Sequence, residues 1–270
     1  MLNAYNVTYQ NSYISEGLTL DYCFTNPIEK LNEIAELGVG SEFAIYDHQE
    51  ILRDWFPNLG FHIFLSHSHK DKNLAIFIAN QLYKHYGIKT FIDSQFWGYV
   101  DKAIFSINDE KSRSLTDKKY LDYDRCMRVA SNFYLILSNA LTDGIDACDS
   151  VWFLNTSNSL NATKDDNKFA TFSPWIFTEL NFSSRVRRQG HAKRSEIILE
   201  KAGSRAGLEA NDSAIPQNVS IRYQTPLEHL LDVTDSSMTL ITTGQVKASN
   251  HFYHVDRAFD HLDTIYRYLR

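Results

Sequence analysis

Phe61-His62-Ile63-Phe64-Leu65-Ser66-His67-Ser68-His69-Lys70-Asp71 is the stretch on which the fold turns. Residues 61–65 are apolar or aromatic apart from one histidine, a short run of the kind that fills a buried parallel strand. A polar loop follows, and Ser68-His69-Lys70-Asp71 has the spacing of a capping box. Leu74, Phe77, Ile78, Leu82 and Tyr86 then lay one apolar stripe along a helix, which Gly87 ends. Residues 88–92 form the next strand, closed by Asp93. Strand, helix and strand of these lengths imply a right-handed βαβ unit.

The alternation continues toward the C-terminus. Val129, Phe133, Ile136, Leu137, Ala140 and Leu141 recur at helical spacing within residues 125–147. Residues 133–137 alone have strand composition, but the longer period favours helix. A third strand follows over residues 150–155, and Ser173-Pro174 opens a further helix with serine as N-cap and proline at the first helical position. Beyond Gly190 the expected elements are a strand at 219–223, a short helix at 227–231 and a closing helix at 252–269. Toward the N-terminus, residues 28–37 and 42–56 carry helical patterns ended by Gly38 and Pro57. The domain reading is therefore a helical extension over 1–59, packed on a core of 60–270. That core is an α/β, flavodoxin-like open sheet, mostly parallel, of about five strands with helices on both faces. Its strand order, counted from Phe61, is 2-1-3-4-5.

Composition sets the limits on function. The chain has 270 residues, 43% apolar and 22% charged, enough for one large α/β domain with a proper core. A net charge of −6 gives no general attraction for nucleic acid or anionic membrane. One local exception is residues 185–194, with Arg185, Arg187, Arg188, Lys193 and Arg194, read either as a solvated helix end or as a phosphate-facing patch. Cys23, Cys126 and Cys148 are odd in number and in no metal-ligand spacing, so neither a disulfide nor a structural metal is expected. The first residues lack a basic start and an apolar stretch, and no window reaches the roughly 20 apolar residues of a spanning helix, so a cytoplasmic location is expected.

Ligands on an open parallel sheet sit beyond the carboxyl ends of the strands, where strand order reverses. That rule selects residues 66–71, 93–98 and 155–179. Within them, Phe64 to Asp71 resembles the opening strand and loop of Toll/interleukin-1 receptor (TIR) domains. Phe91-Ile92-Asp93 is similar to that family's second strand with its terminal acid. Ser173-Pro174-Trp175-Ile176-Phe177-Thr178-Glu179-Leu180 resembles its helix with a Trp-x-x-x-Glu pattern. The resemblance covers roughly residues 61–190. It implies an NAD-cleaving enzyme of the bacterial type, with NAD as substrate and no separate cofactor. In it Glu179 is the catalytic glutamate, and Ser66, His67, Asp93, Phe96, Trp97 and Trp175 bind substrate. Asp93, Phe96 and Trp97 would lie in a flexible loop that helps to close the site. It also implies self-association through TIR contacts, a role in antiphage defence and a downstream effector that senses the product. The insert at 94–124, the loop at 161–172 and the C-terminal third depart from the family pattern.

The chemistry also stands on the residues themselves. Trp175 and Glu179 at i and i+4 share a helix face, so a planar ring could stack on the indole while the carboxylate addresses the adjoining ribose. Cleavage of the nicotinamide–ribose bond builds positive charge on the sugar, which a carboxylate stabilises. Nicotinamide leaves as a neutral group, so one carboxylate suffices. Each residue also has a plain structural reading: Glu179 as a partner of the helix dipole, Trp175 as core packing, His67 and His69 as solvent or capping residues. Two other functions fit parts of the pattern. The first is a non-catalytic TIR interaction module. The second is a metal-dependent hydrolase built on His67-Ser68-His69-Lys70-Asp71-Lys72, although Lys72 stands where its last zinc ligand should be.

Overall fold

The computed structural model describes residues 3–11, 14–22, 49, 60–92, 94–162, 169–188, 221–247 and 254–270. Five strands make an all-parallel sheet: β1 (Asn3–Val7), β2 (Ile63–Ser66), β3 (Thr90–Ile92), β4 (Ser150–Leu154) and, after the three short strands named below, β8 (Leu231–Val233). They lie in the order β3-β2-β4-β1-β8. The expected neighbours of β2 are therefore found, and the Phe61 strand is interior. Among the described residues there are six helices: α1 (Lys72–Tyr86), α2 (Ser94–Lys111), α3 (Tyr123–Ala147), α4 (Pro174–Arg185), α5 (Asp235–Thr242) and α6 (Arg257–Tyr268). A small antiparallel sheet of β5 (Asn161–Ala162), β6 (Phe169–Thr171) and β7 (Tyr223–Gln224) stands beside them.

Register assigns the helices to faces. Tyr5, Leu65 and Trp152 are parallel partners on one face, and Tyr5 stacks on Tyr266 of α6 with ring centroids 5.8 Å apart. The helix α6 packs with α1, which packs with α5. Phe64 points to the other face, where its ring meets Gly144 of α3, and α3 packs in turn with α2 and α4. Both faces are thus covered, so β2, β3 and β4 are buried at every position rather than alternately.

Four expectations need correction. Residues 3–7 are not part of a helical extension: they form β1, an interior strand between β4 and β8, with Tyr5 and Val7 fully buried. The motif Asn-Ala-Tyr-Asn-Val hides this, because its two asparagines break the apolar run. The helical patterns at 28–37 and 42–56 lie outside the described residues, Gln49 apart. The strand expected at 219–223 is the short β7 in the minor sheet, with 219 and 220 outside the described residues. Residues 227–231 make no helix; a turn leads into β8, which takes the fifth place in the main sheet. Finally, the expected loop after β3 is the helix α2, whose buried Ile104, Ile107 and Asn108 have helical spacing. Gly98, a residue that disfavours helix interiors by about 1 kcal/mol, masked it.

Helix ends follow local chemistry. Gly87 terminates α1 in the left-handed conformation (φ 68°), with its N–H on the Tyr83 carbonyl and the Ile88 N–H on that of Leu82. Ser173 Oγ accepts from the Ile176 N–H at 3.3 Å and Pro174 fills the first turn of α4, as the sequence predicts. The capping box at 68–71 does not form. Neither Ser68 nor Asp71 caps with its side chain, because the Asp71 carboxylate is engaged elsewhere.

Gly244, just past α5, also has a positive φ of 72°, and a Cβ there would lie 2.5 Å from the His85 ring. Gly244→Ala is expected to cost about 1–2 kcal/mol, chiefly from left-handed strain. The midpoint of urea unfolding should fall with no change in slope. About 1 kcal/mol of that loss should persist when His85 is also alanine, since the strain does not depend on the ring.

Candidate active site

The sheet changes direction between β2 and β4. From β2 the chain crosses to β3 on one side, whereas beyond β4 lie β1 and β8 on the other. The crevice outside the carboxyl ends of these two strands is where an open parallel sheet binds ligands. Ser66, the last residue of β2, stands there beside Phe153 of β4.

Ser66 and Glu179 meet. The Ser66 hydroxyl donates to Glu179 Oε2 at 2.5 Å, at the short end of the range for a hydroxyl on a carboxylate. Both side chains have 0% exposure, and Glu179 faces inward from the second turn of α4. That helix is positioned by the Ser173 cap and by Phe177, whose ring stacks on Tyr223 at 5.0 Å. Burial of a carboxylic group on the inner face of a helix is costly unless it is hydrogen-bonded, and Ser66 supplies such a bond.

His67 adjoins them and is also buried. Its Nδ1 lies 3.1 Å from the Leu65 carbonyl, which can only accept, so in the neutral ring Nδ1 carries the proton and Nε2 accepts from Ser94 Oγ at 2.8 Å. His67 thereby joins the β2 loop to the first turn of α2. Trp175 is half-buried one turn before Glu179, with its ring centroid 6.0 Å from that of Tyr134 on α3. Phe96 and Trp97 belong to the first turns of α2 rather than to a loop, and their side chains lie outside the described residues, as does Asp93.

Two features of the site escaped the sequence reading. Asp71 accepts from Thr156 Oγ1 at 2.5 Å and from Asn158 Nδ2 at 2.7 Å, tying the β2 loop to the loop after β4. The Thr156-x-Asn158-Ser159 turn was the available signal, since such residues bond neighbouring backbone: Ser159 Oγ donates to the Leu154 carbonyl at 3.0 Å. These ties also separate the histidine motif: His67 faces α2, His69 is exposed and Asp71 faces the β4 loop. Among the described residues no group of three His, Cys, Asp or Glu side chains could hold a metal ion.

The second feature is Ser183, fully buried one turn beyond Glu179, whose Oγ lies 2.7 Å from His229 Nε2. Burial first, and the Arg188 guanidinium second, push His229 down to about 4, against an opposing pull from Glu228. The folded protein therefore refuses a proton that the unfolded chain accepts below about 6.5. Stability from this group is complete above that pH and declines as pH falls toward 4. Replacing His229 by Gln is expected to flatten the pH dependence of the unfolding midpoint across that window and leave it unchanged above pH 7. Parallel slopes in the two proteins would show that His229 titrates as it does in the unfolded chain.

Cys148 is buried, which raises its thiol well above the usual range, and Cys126 is partly exposed; both are free thiols. Cys23 lies outside the described residues. No helix among the described residues is long and apolar enough to cross a membrane. The chain matches no protein-family model, no curated protein and no solved structure.

Proposed function

We propose that the protein is a TIR-type enzyme that breaks the nicotinamide–ribose bond of NAD, with Glu179 as its catalytic carboxylate. The observation that carries this reading is the Ser66–Glu179 hydrogen bond at the carboxyl ends of β2 and β4. It joins the two halves of the TIR-like pattern, 113 residues apart, at the place where a parallel sheet receives ligands. A carboxylate held there stabilises the ribosyl cation as nicotinamide departs. Ser66 fixes the orientation of Glu179, and Trp175 offers a face for the nicotinamide ring.

Glu179 has no exposed surface. Turnover therefore requires the wall over the carboxylate to open, and the His67–Ser94 bond to the start of α2 is the tie to be released. Self-association is the proposed trigger, with defence against phage as the biological setting and a sensor of the product as the downstream partner. Incubation of the protein with NAD at increasing protein concentration, followed by mass spectrometry, tests the reading. ADP-ribose marks hydrolysis, a product lighter by one water marks cyclisation, and a heavier adduct marks transfer. Intact NAD at every concentration would refute it.

A second reading, an interaction module without catalysis, draws on the same burial of Glu179. It also draws on the connection between α2 and α3, where Leu115, Tyr120 and Tyr123 are exposed. Such side chains anchor protein contacts. Concentration-dependent assembly without NAD loss would select it.

A further inference from the structure

Away from the crevice, residues of α1, of α5 and of the segment after β1, Tyr9 among them, line a groove of about 570 Å³. Its volume lies in the range of small-molecule sites, roughly 300–1,000 Å³. We propose that this groove binds an uncharged, hydroxyl-rich ring compound, with a sugar or the sugar of a nucleoside as the recognised part.

The lining carries the argument. It holds no aspartate, glutamate, lysine or arginine, in a chain of which 22% is charged. A phosphate or carboxylate would find no permanently charged cation there, only the imidazole of His85, and would meet the field of a chain with net charge −6. The Asp235 carboxylate at the start of α5 takes the Gln10 backbone N–H at 2.8 Å and is not part of the lining.

The α5 wall is an array of acceptors. Thr239 and Thr242 donate their hydroxyl protons to the carbonyls of Asp235 and Met238, at 2.9 and 2.8 Å. Thr242 is buried and its oxygen takes the Tyr9 hydroxyl proton. The exposed Thr239 and Thr243, the latter donating to the Thr239 carbonyl at 2.7 Å, are left with lone pairs to accept with, so a ligand bonded to this wall must bring O–H or N–H donors. The facing α1 wall supplies the Gln81 amide, which can donate and accept, and the Phe77 ring, an apolar surface against which the C–H face of a sugar packs. An acceptor wall, an amide and a ring without formal charge make a set suited to a polyol ring. Tyr9 Oη lies 3.2 Å from Thr242 Oγ1 and Tyr86 Oη donates to the Ile241 carbonyl at 3.0 Å. These bonds hold α5 against α1 and against the segment after β1, so the groove is formed before any ligand arrives.

The test uses adenosine, trehalose and AMP as probes in amide NMR titrations of the full chain at millimolar concentration, where weak specific sites are visible. Adenosine, trehalose or both should shift the amides of Gln81 and of 239–243 in a saturable way. The responding probe separates nucleoside from saccharide recognition. Gln81→Leu, a surface change that leaves the fold intact, should weaken binding about tenfold, and AMP should bind at least about tenfold more weakly than adenosine. Absence of saturable shifts with both neutral probes overturns the proposal. So do shifts confined to other regions, undiminished binding in Gln81→Leu, or AMP binding as tightly as adenosine. None of these outcomes bears on NAD cleavage, because the groove lies apart from Glu179.

Discussion

Glu179→Gln protein is expected to fold like the wild type and to release nicotinamide from NAD at least about 10²–10³-fold more slowly. Gln matches Glu in size and helix propensity, and its amide oxygen can still accept from the Ser66 hydroxyl. What it lacks is the negative charge opposite the developing ribosyl cation. That interaction exists only in the transition state, so kcat should fall while KM stays within a few-fold. The variant's unfolding midpoint, measured in parallel, separates lost chemistry from lost structure. Wild-type rates in a folded Glu179→Gln protein would remove Glu179 as the catalytic carboxylate, whereas intact NAD with the wild type would leave the interaction module in place of the enzyme.

A chain that begins at residue 61 is expected not to fold. On the sequence reading the first 59 residues are a helical extension packed on the core. In the structure that cut deletes β1, the strand that pairs with both β4 and β8. Backbone groups of the buried β4 and of the edge strand β8 would lose their partners, and the face covered by Tyr5 and Val7 would open. Truncating one large buried aromatic side chain to alanine costs about 3–5 kcal/mol, against a typical total stability of about 5–15 kcal/mol. Tyr5→Ala is thus the milder version of the same experiment and should leave a folded but fragile protein. Near-ultraviolet circular dichroism and a urea transition distinguish the outcomes. A cooperative transition in the truncated chain would show that β1 is not part of the folding unit.

The first β-α-β unit and the placement of Glu179 were legible because their signals are local. A contiguous apolar run, a 3.6-residue stripe ended by glycine and a Ser-Pro helix start each depend on neighbours in sequence. β1 was illegible for the opposite reason. Only its position between β4 and β8 makes Asn-Ala-Tyr-Asn-Val a strand, and those partners lie far along the chain. The same holds for Asp71, whose local spacing suggests a cap but whose oxygens are taken by Thr156 and Asn158. In α2, Gly98 and the polar positions outweighed a short apolar period. The Ser183–His229 pair gave no sequence signal at all, since 46 residues separate its members.

The interior position of β1 also governs when the protein can mature. β1 precedes the other strands of its sheet in the chain, yet Asn6 waits for Asp232, 226 residues later, to receive the hydrogen bond of its side chain. At about 5–20 residues per second the interval is roughly ten to forty-five seconds, during which the β8 edge of that strand is unpaired. The nascent chain therefore cannot close its central sheet before β8 has been made. Closure then carries the slow loop formation that distant strand pairing entails. Until then the unpaired edge of β1 is a target for a holding chaperone.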